Sequence, residues 1–183
     1  DSQLINLSKS GADVFYNIST GKASSQSIRK VAELGWKPLH LLSAGSTGRS
    51  IRSAAGLENC TGIVAIRYAK EVGVPRFEKD PDVMAFEALR KKYLPTVDPD
   101  NTIAFAGYGQ VASMAEILRR CGNELTRANV LKHATTLAGF HSPYFLDGVN
   151  FSYTPDDYTP MKTLYISIFN GKDWDISDKP VTE

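Results

Sequence analysis

The chain has 183 residues, 42% of them hydrophobic, and carries a net charge of +1 from 21 basic and 20 acidic side chains. That length makes one large domain or two small ones and buries a core without staples. The balanced charge supplies no field to draw the chain to nucleic acid or a membrane surface. No apolar run approaches the roughly 20 residues of a membrane-spanning helix, so membrane insertion is not expected.

Residues 2–10 read as the back end of a helix, with Leu4, Ile5 and Leu7 on its apolar face and Gly11 at its C-terminus. Val14 to Ile18 follows as a strand. It is apolar on both faces, as in a buried parallel sheet, and it runs into Ser19-Thr20-Gly21. A helix from Ser24 to Leu34 should bury Ile28, Val31 and Ala32 and turn Arg29, Lys30 and Glu33 to water. The second strand, Leu39 to Leu42, runs into Ser43-Ala44-Gly45-Ser46-Thr47-Gly48. A short helical stretch carries Ile51 and Ala54-Ala55 before Gly56, and Gly62 to Ile66 is the third strand. Residues 12–66 therefore read β-α-β-α-β, half of a doubly wound sheet of α/β class. Both hydroxyl-rich loops leave at the carboxyl edge, where ligands of open α/β sheets sit.

Residues 69–79 have no clear period and read as a connector. Asp80-Pro81 starts a helix, with Asp as N-cap and Pro at the first helical position; it reaches Tyr93 and stops before Pro95. A longer helix runs from about Asn101 to Cys121. Its small residues include Gly107 and Gly109, and each interior glycine costs roughly 1 kcal/mol relative to Ala, which close packing would justify. Thr126 caps a third helix with Leu125 and Val130 as a staple and a buried stripe of Val130, Leu131, Ala134 and Leu137. Val149 to Tyr153 reads as a short strand and Thr154 to Asp157 as a turn. Leu164 to Phe169 is a stronger strand, followed by an Asn170-Gly171 hairpin with Trp174 and Ile176 on the return.

Few groups are poised for chemistry. Cys60 and Cys121 form no Cys-x-x-Cys pair, and His40, His133 and His141 lack metal-ligand spacing, so no metal or cofactor is expected and both thiols are read as free and packed. Gly45-Ser46-Thr47-Gly48-Arg49-Ser50 has the wrong spacing for a phosphate loop. Ala106-Gly107-Tyr108-Gly109-Gln110 follows no strand, so it fails as a dinucleotide fingerprint and reads as helix packing. Ser46, His141 and Asp147 occur in an order open to a hydrolase triad, but Ser46 is not in a nucleophile elbow. Asp156-Asp157 could pair as catalytic carboxylates; beside Pro155 it reads better as turn chemistry. Tyr144, Phe145, Phe151, Tyr153 and Tyr158 form an aromatic set that packs between layers or lines a pocket for flat ligands. The chain is read as a binding protein and not an enzyme.

Three groups of stretches carry a resemblance to a known family. One is Gly11-Ala12-Asp13-Val14-Phe15-Tyr16-Asn17 with Gln26-Ser27-Ile28-Arg29-Lys30 and Gly35-Trp36-Lys37-Pro38. The second is Ala55-Gly56-Leu57-Glu58-Asn59 leading to Gly62-Ile63. The third is residues 118–130 (LRRCGNELTRANV) with Leu146-Asp147-Gly148-Val149 and Phe169-Asn170-Gly171-Lys172-Asp173-Trp174. Together these resemble the C-terminal half of a type I periplasmic solute-binding protein of ABC transporters, in the cluster that takes branched-chain amino acids or aromatic carboxylates.

The resemblance implies a two-lobed clamp, a periplasmic location, a small-molecule ligand and an ABC transporter permease as partner. Residues 1–67 and 160–183 would form the second lobe. Residues 70–158 would pack on a first lobe whose own sheet is expected before Asp1. The chain is then incomplete, a fragment whose uncovered helices call for the N-terminal lobe, a companion fragment or self-association. The ligand-binding set carried by the two loops is Asn17, Ser19, Thr20, Ser43, Ala44, Gly45 and Ser46. Amino-acid-binding relatives hold the ligand ammonium with an acidic and an aromatic side chain. The matching positions here are about Ala44 and Thr20, so a carboxylate without an α-amino group is the expected ligand. A ligand-sensing regulator domain of the same fold, or an α/β enzyme, is the alternative.

Overall fold

The computed structural model describes residues 2–182. It divides into two compact units, residues 2–67 with 165–181, and residues 68–164 with 182.

The first unit opens with α1 (Ser2–Ser8), then β1 (Val14–Asn17), α2 (Gly21–Glu33) and β2 (Leu39–Leu42). A 3-10 turn (Ala44–Ser46), α3 (Arg49–Ala55), the one-turn α4 (Leu57–Cys60) and β3 (Val64–Arg67) follow. Gly11 has φ 80°, a left-handed conformation that glycine adopts without penalty, and this turns the chain from α1 into β1. β1, β2 and β3 pair in parallel, which makes the expected β-α-β-α-β unit. β4 (Thr163–Phe169) lies antiparallel beside β3, β5 (Trp174–Ile176) is its hairpin partner, and β6 (Val181–Thr182) also pairs with β4.

One face of this sheet is closed and the other is open. Leu42, Ala65 and Phe169 point to the same side as Ile63 and pack with Ile28 of α2, Ala55 of α3, Cys60 of α4 and Trp174. The other face presents Val14, Tyr16, Leu39, Ile66, Ile166 and Ile168, all exposed among the described residues. This corrects the expectation that β1 is buried on both faces: β1 is an edge strand, and Tyr16 is 64% exposed. In α2, Ile28 and Val31 are buried as expected; Ala32 is exposed, and Ser24 and Ser25 take the buried positions instead.

The second unit is mainly helical. A 3-10 turn (Pro75–Phe77) precedes α5 (Pro81–Tyr93), α6 (Thr102–Cys121) and α7 (Arg127–Thr135). Two of the caps, Asp80 and Thr126, are those expected from the sequence, and Asn101 is a third. Asp80 accepts from the backbone N–H of Asp82 and Val83, Asn101 from those of Ile103 and Ala104, and Thr126 from that of Asn129. Asp80 also pairs with Lys70, whose buried amine lies 2.9 Å from Asp80 and 2.8 Å from Asp82. Burial opposes the charge on Lys70, but the two carboxylates outweigh it and raise its pKa.

The core of this unit is aromatic. Phe86 and Phe105 are buried with centroids 4.9 Å apart, Tyr144 meets Phe105 edge-on at 5.4 Å, and Phe145 meets Phe151 at 4.6 Å. Tyr153 joins through Phe151. Tyr158, expected in the same set, stands 64% exposed.

Two expectations fail here. Residues 149–153 do not form a strand, because their backbone bonds go to separate segments: Val149 N–H to Leu146, Phe151 N–H to Phe140, Ser152 N–H to Pro160 and Tyr153 N–H to Leu137. Only an isolated bridge between Phe140 and Phe151 results. Nor does α7 bury the expected stripe as a whole: Leu137, just past the helix, is buried, but no residue of α7 itself is, and Leu131 is 60% exposed. Leu125, the expected staple residue, is 63% exposed. The entry to α7 is held by Thr126 and by the Asn129 amide, which donates to the carbonyls of Cys121 and Glu124.

Candidate functional site

β1 and β2 end in register, Asn17 opposite Leu42, so the two hydroxyl-rich loops leave the sheet side by side at its carboxyl edge. The Ser43 N–H donates to the Asn17 carbonyl at 3.0 Å and ties the loop bases together. The Asn17 side chain is buried and wholly engaged. Its Oδ1 accepts from Ser19 N–H (3.2 Å) and Ser19 Oγ (2.5 Å). Its Nδ2 donates to Ser27 Oγ at 2.8 Å and to His40 Nε2 at 3.2 Å. Donation to Nε2 requires His40 to be neutral with its proton on Nδ1. Burial favours the neutral ring, pushing the His40 pKa down to about 4.

Ser46 is buried and also faces inward, its Oγ donating to the Ser19 carbonyl at 2.6 Å. This bond crosses between the loops. Asn17 and Ser46 therefore shape the loops from within. Thr20 and Ser43 differ: each precedes a helical segment without using its side chain as a cap. Thr20 and Gly45 are exposed, and Ser43 and Ala44 half-buried. The first turn of α2 and of α3 holds no acidic residue. The loop surface thus offers two hydroxyls, the N–H groups that open α2 and the 3-10 turn, and no carboxylate, a donor set that suits an anion.

Thr47, absent from the sequence-based set, lies beneath this surface. Its carbonyl accepts from Arg52 Nη1 and from Trp174 Nε1 (3.2 Å), and its Oγ1 accepts from Arg67 Nη1 at 2.5 Å. His40 and Ser27 were likewise missed. Each acts through a contact distant in sequence, with no local motif to mark it.

Other chemistries find little support. Ser46 spends its hydroxyl on a backbone carbonyl, and His141 Nδ1 lies 2.9 Å from the Val149 carbonyl. Asp157 accepts from the Thr159 N–H and pairs with Lys162, which is turn chemistry. Among the described residues no cluster of three or more His, Cys, Asp or Glu could hold a metal, and no helix is long and apolar enough to cross a membrane. Gly109 is a close-packed position against Ser142 and Tyr144, whereas Gly107 has open space beside it.

The first unit is thus an open α/β sheet with two paired loops at its carboxyl edge. Residues 1–172 match the family model described as periplasmic binding protein. The chain belongs to the periplasmic binding protein family. No curated protein is significantly similar to it. Among solved structures, it is similar to a branched-chain amino acid ABC transporter protein from Thermus thermophilus with bound valine (18% identity, TM-score 0.77, covering 100% of this chain and 49% of that one). It is also similar to a substrate-binding periplasmic protein from Ralstonia solanacearum (16%, TM-score 0.76, 100% and 48%). A third is an ABC transporter solute-binding protein from R. palustris in complex with benzoate (16%, TM-score 0.63, 100% and 48%). The chain spans about half the length of these proteins. The family comprises solute-binding proteins, not enzymes, and its members act outside the cytoplasm.

Proposed function

We propose that this chain is part of the solute-binding component of an ABC transporter, and that it captures a small organic carboxylate lacking an α-amino group. The observation that carries this is the chemistry of the two loops. Thr20 and Ser43 hold unspent capping hydroxyls beside helical N–H groups, and no acidic side chain stands ready for an ammonium. A carboxylate is recognised by such donors through charge-assisted hydrogen bonds, whereas a buried ammonium without a counter-charge is costly. Residues 1–67 with 160–183 supply one lobe, with Thr20, Ser43, Ala44 and Gly45 facing the ligand and Asn17, Ser19 and Ser46 shaping the loops. That a similar fold carries benzoate in one protein and valine in another makes the choice between the two ligand types the informative one.

Residues 70–158 pack on a further lobe, and a permease receives the loaded protein. Two exposed apolar surfaces support a covering partner. One is the open sheet face. The other is a stripe on α6 formed by Ile103, Val111, Met114 and Leu118 with Gly107 between them, where a neighbour can approach closely. A thermal-shift panel on the full-length protein tests the ligand class. Benzoate-type acids should raise the melting temperature, and leucine and valine should not. A shift confined to the amino acids would overturn the proposal.

A further inference from the structure

We infer that Thr47 is the positioning residue of the ligand loop, held by a clamp of Arg52, Arg67 and Trp174. This rests on the solute-binding reading of that loop. The loop is a single 3-10 turn, closed by Ser46 N–H to the Ser43 carbonyl at 2.9 Å. Thr47 ends it and returns to it, its Oγ1 donating to the Ala44 carbonyl at 2.8 Å. Three side chains from three separate elements then converge on this one buried residue. Arg52 of α3 and Trp174 of β5 both donate to its carbonyl, and Arg67 at the end of β3 donates to its hydroxyl.

The clamp is itself locked. The Arg52 guanidinium lies over the rings of Phe169 (5.1 Å) and Trp174 (5.7 Å), and that of Arg67 over Trp174 (5.6 Å). Phe169 and Trp174 meet edge-on at 5.3 Å. The hydroxyl of Thr47 gives its one proton to the Ala44 carbonyl and accepts from Arg67. Valine, of the same shape, would lose both bonds, and serine would keep them. A loop held in its bound geometry before the ligand arrives avoids the cost of ordering it on binding. Thr47 would therefore set affinity without touching the ligand, through the directions in which Ser43, Ala44 and Gly45 present their donors.

Amide hydrogen exchange on the free full-length protein tests this first. In Thr47→Val and in Trp174→Phe, the Ser46 and Thr47 amides should exchange about ten-fold faster, the worth of one buried hydrogen bond. The Leu41 and Leu42 amides in β2 should keep the wild-type rate, and Thr47→Ser should behave as wild type throughout. Calorimetry with benzoate as the probe should then show about ten-fold weaker binding by Thr47→Val and near-normal binding by Thr47→Ser. Acceleration of loop and β2 amides together, or no acceleration, would overturn the inference. So would a looser loop with unchanged affinity. A wild-type protein that binds neither benzoate nor leucine would remove the solute-binding reading itself, whereas a binding wild type with an unaffected Thr47→Val removes the positioning role alone. Should Thr47→Val fail to fold, Trp174→Phe and Thr47→Ser carry the same comparison.

Discussion

Gly107 and Gly109 lie two residues apart in α6, yet replacing each with alanine should change stability in opposite directions. A Cβ at Gly109 would lie 2.6 Å from Tyr144 Cβ and 2.7 Å from Ser142 Oγ, closer than real Cβ contacts come. Neither atom is the far end of a flexible chain, and Ser142 Oγ also donates to the Gly109 carbonyl at 3.3 Å. Forcing this contact costs about 1–3 kcal/mol for overpacking, with roughly 1 kcal/mol more if the Ser142 bond is lost. Alanine returns about 1 kcal/mol of helix propensity. The net expectation for Gly109→Ala is a destabilisation of about 1–3 kcal/mol. At Gly107 the added methyl meets nothing within 4 Å, so only the propensity term remains. In this 183-residue chain by itself, with no neighbour seated on α6, Gly107→Ala should stabilise by roughly 0.5–1 kcal/mol. Urea unfolding of the two variants beside the parent, read at constant m-value, measures the difference. Equal stabilisation by both would show that residues 142–144 do not pack on α6 and would refute the argument.

Acidification should weaken the fold through His40. Its folded pKa of about 4 lies below the unfolded value near 6.5, so the unfolded chain takes up a proton that the fold refuses. Stability should be complete above about pH 6.5 and fall towards pH 4, by at most about 3 kcal/mol, a slope that His40→Gln should abolish. Asp80→Ala removes the α5 cap and one partner of the buried Lys70, and should cost about 2 kcal/mol or more in urea unfolding. Asp80→Asn keeps a capping oxygen and should cost less.

What was legible in the sequence followed locality. Asp80-Pro81 and Thr126 marked helix starts because a cap is made by neighbours in the chain, and both cap as expected; Asn101, read only as the approximate start of α6, proves to be its cap. The runs at 14–18, 39–42 and 62–66 marked strands, and their loops fell at one edge because the crossovers are parallel. Burial was less legible, since it depends on what packs against an element. Val14 and Tyr16 look like core but lie on an open sheet face, and Leu131 looks like core but is left in water. The one-turn α4 carries too little periodicity to be seen. At the site, residue types showed which loops carry donors but not which donors are spent. Asn17 and Ser46 turn inward to Ser19, Ser27 and His40, and Trp174 reaches Thr47 across 127 residues of sequence. No spacing rule anticipates such a contact.

Calorimetric titration of the full-length protein with benzoate and, separately, with leucine tests the central claim most directly. The two ligands share a carboxylate, and only leucine brings an α-ammonium to loops that hold no acidic side chain. The account predicts saturable benzoate binding and leucine binding weaker by about ten-fold or more, the scale of an unpaired ammonium. Tight leucine binding with no response to benzoate would contradict it.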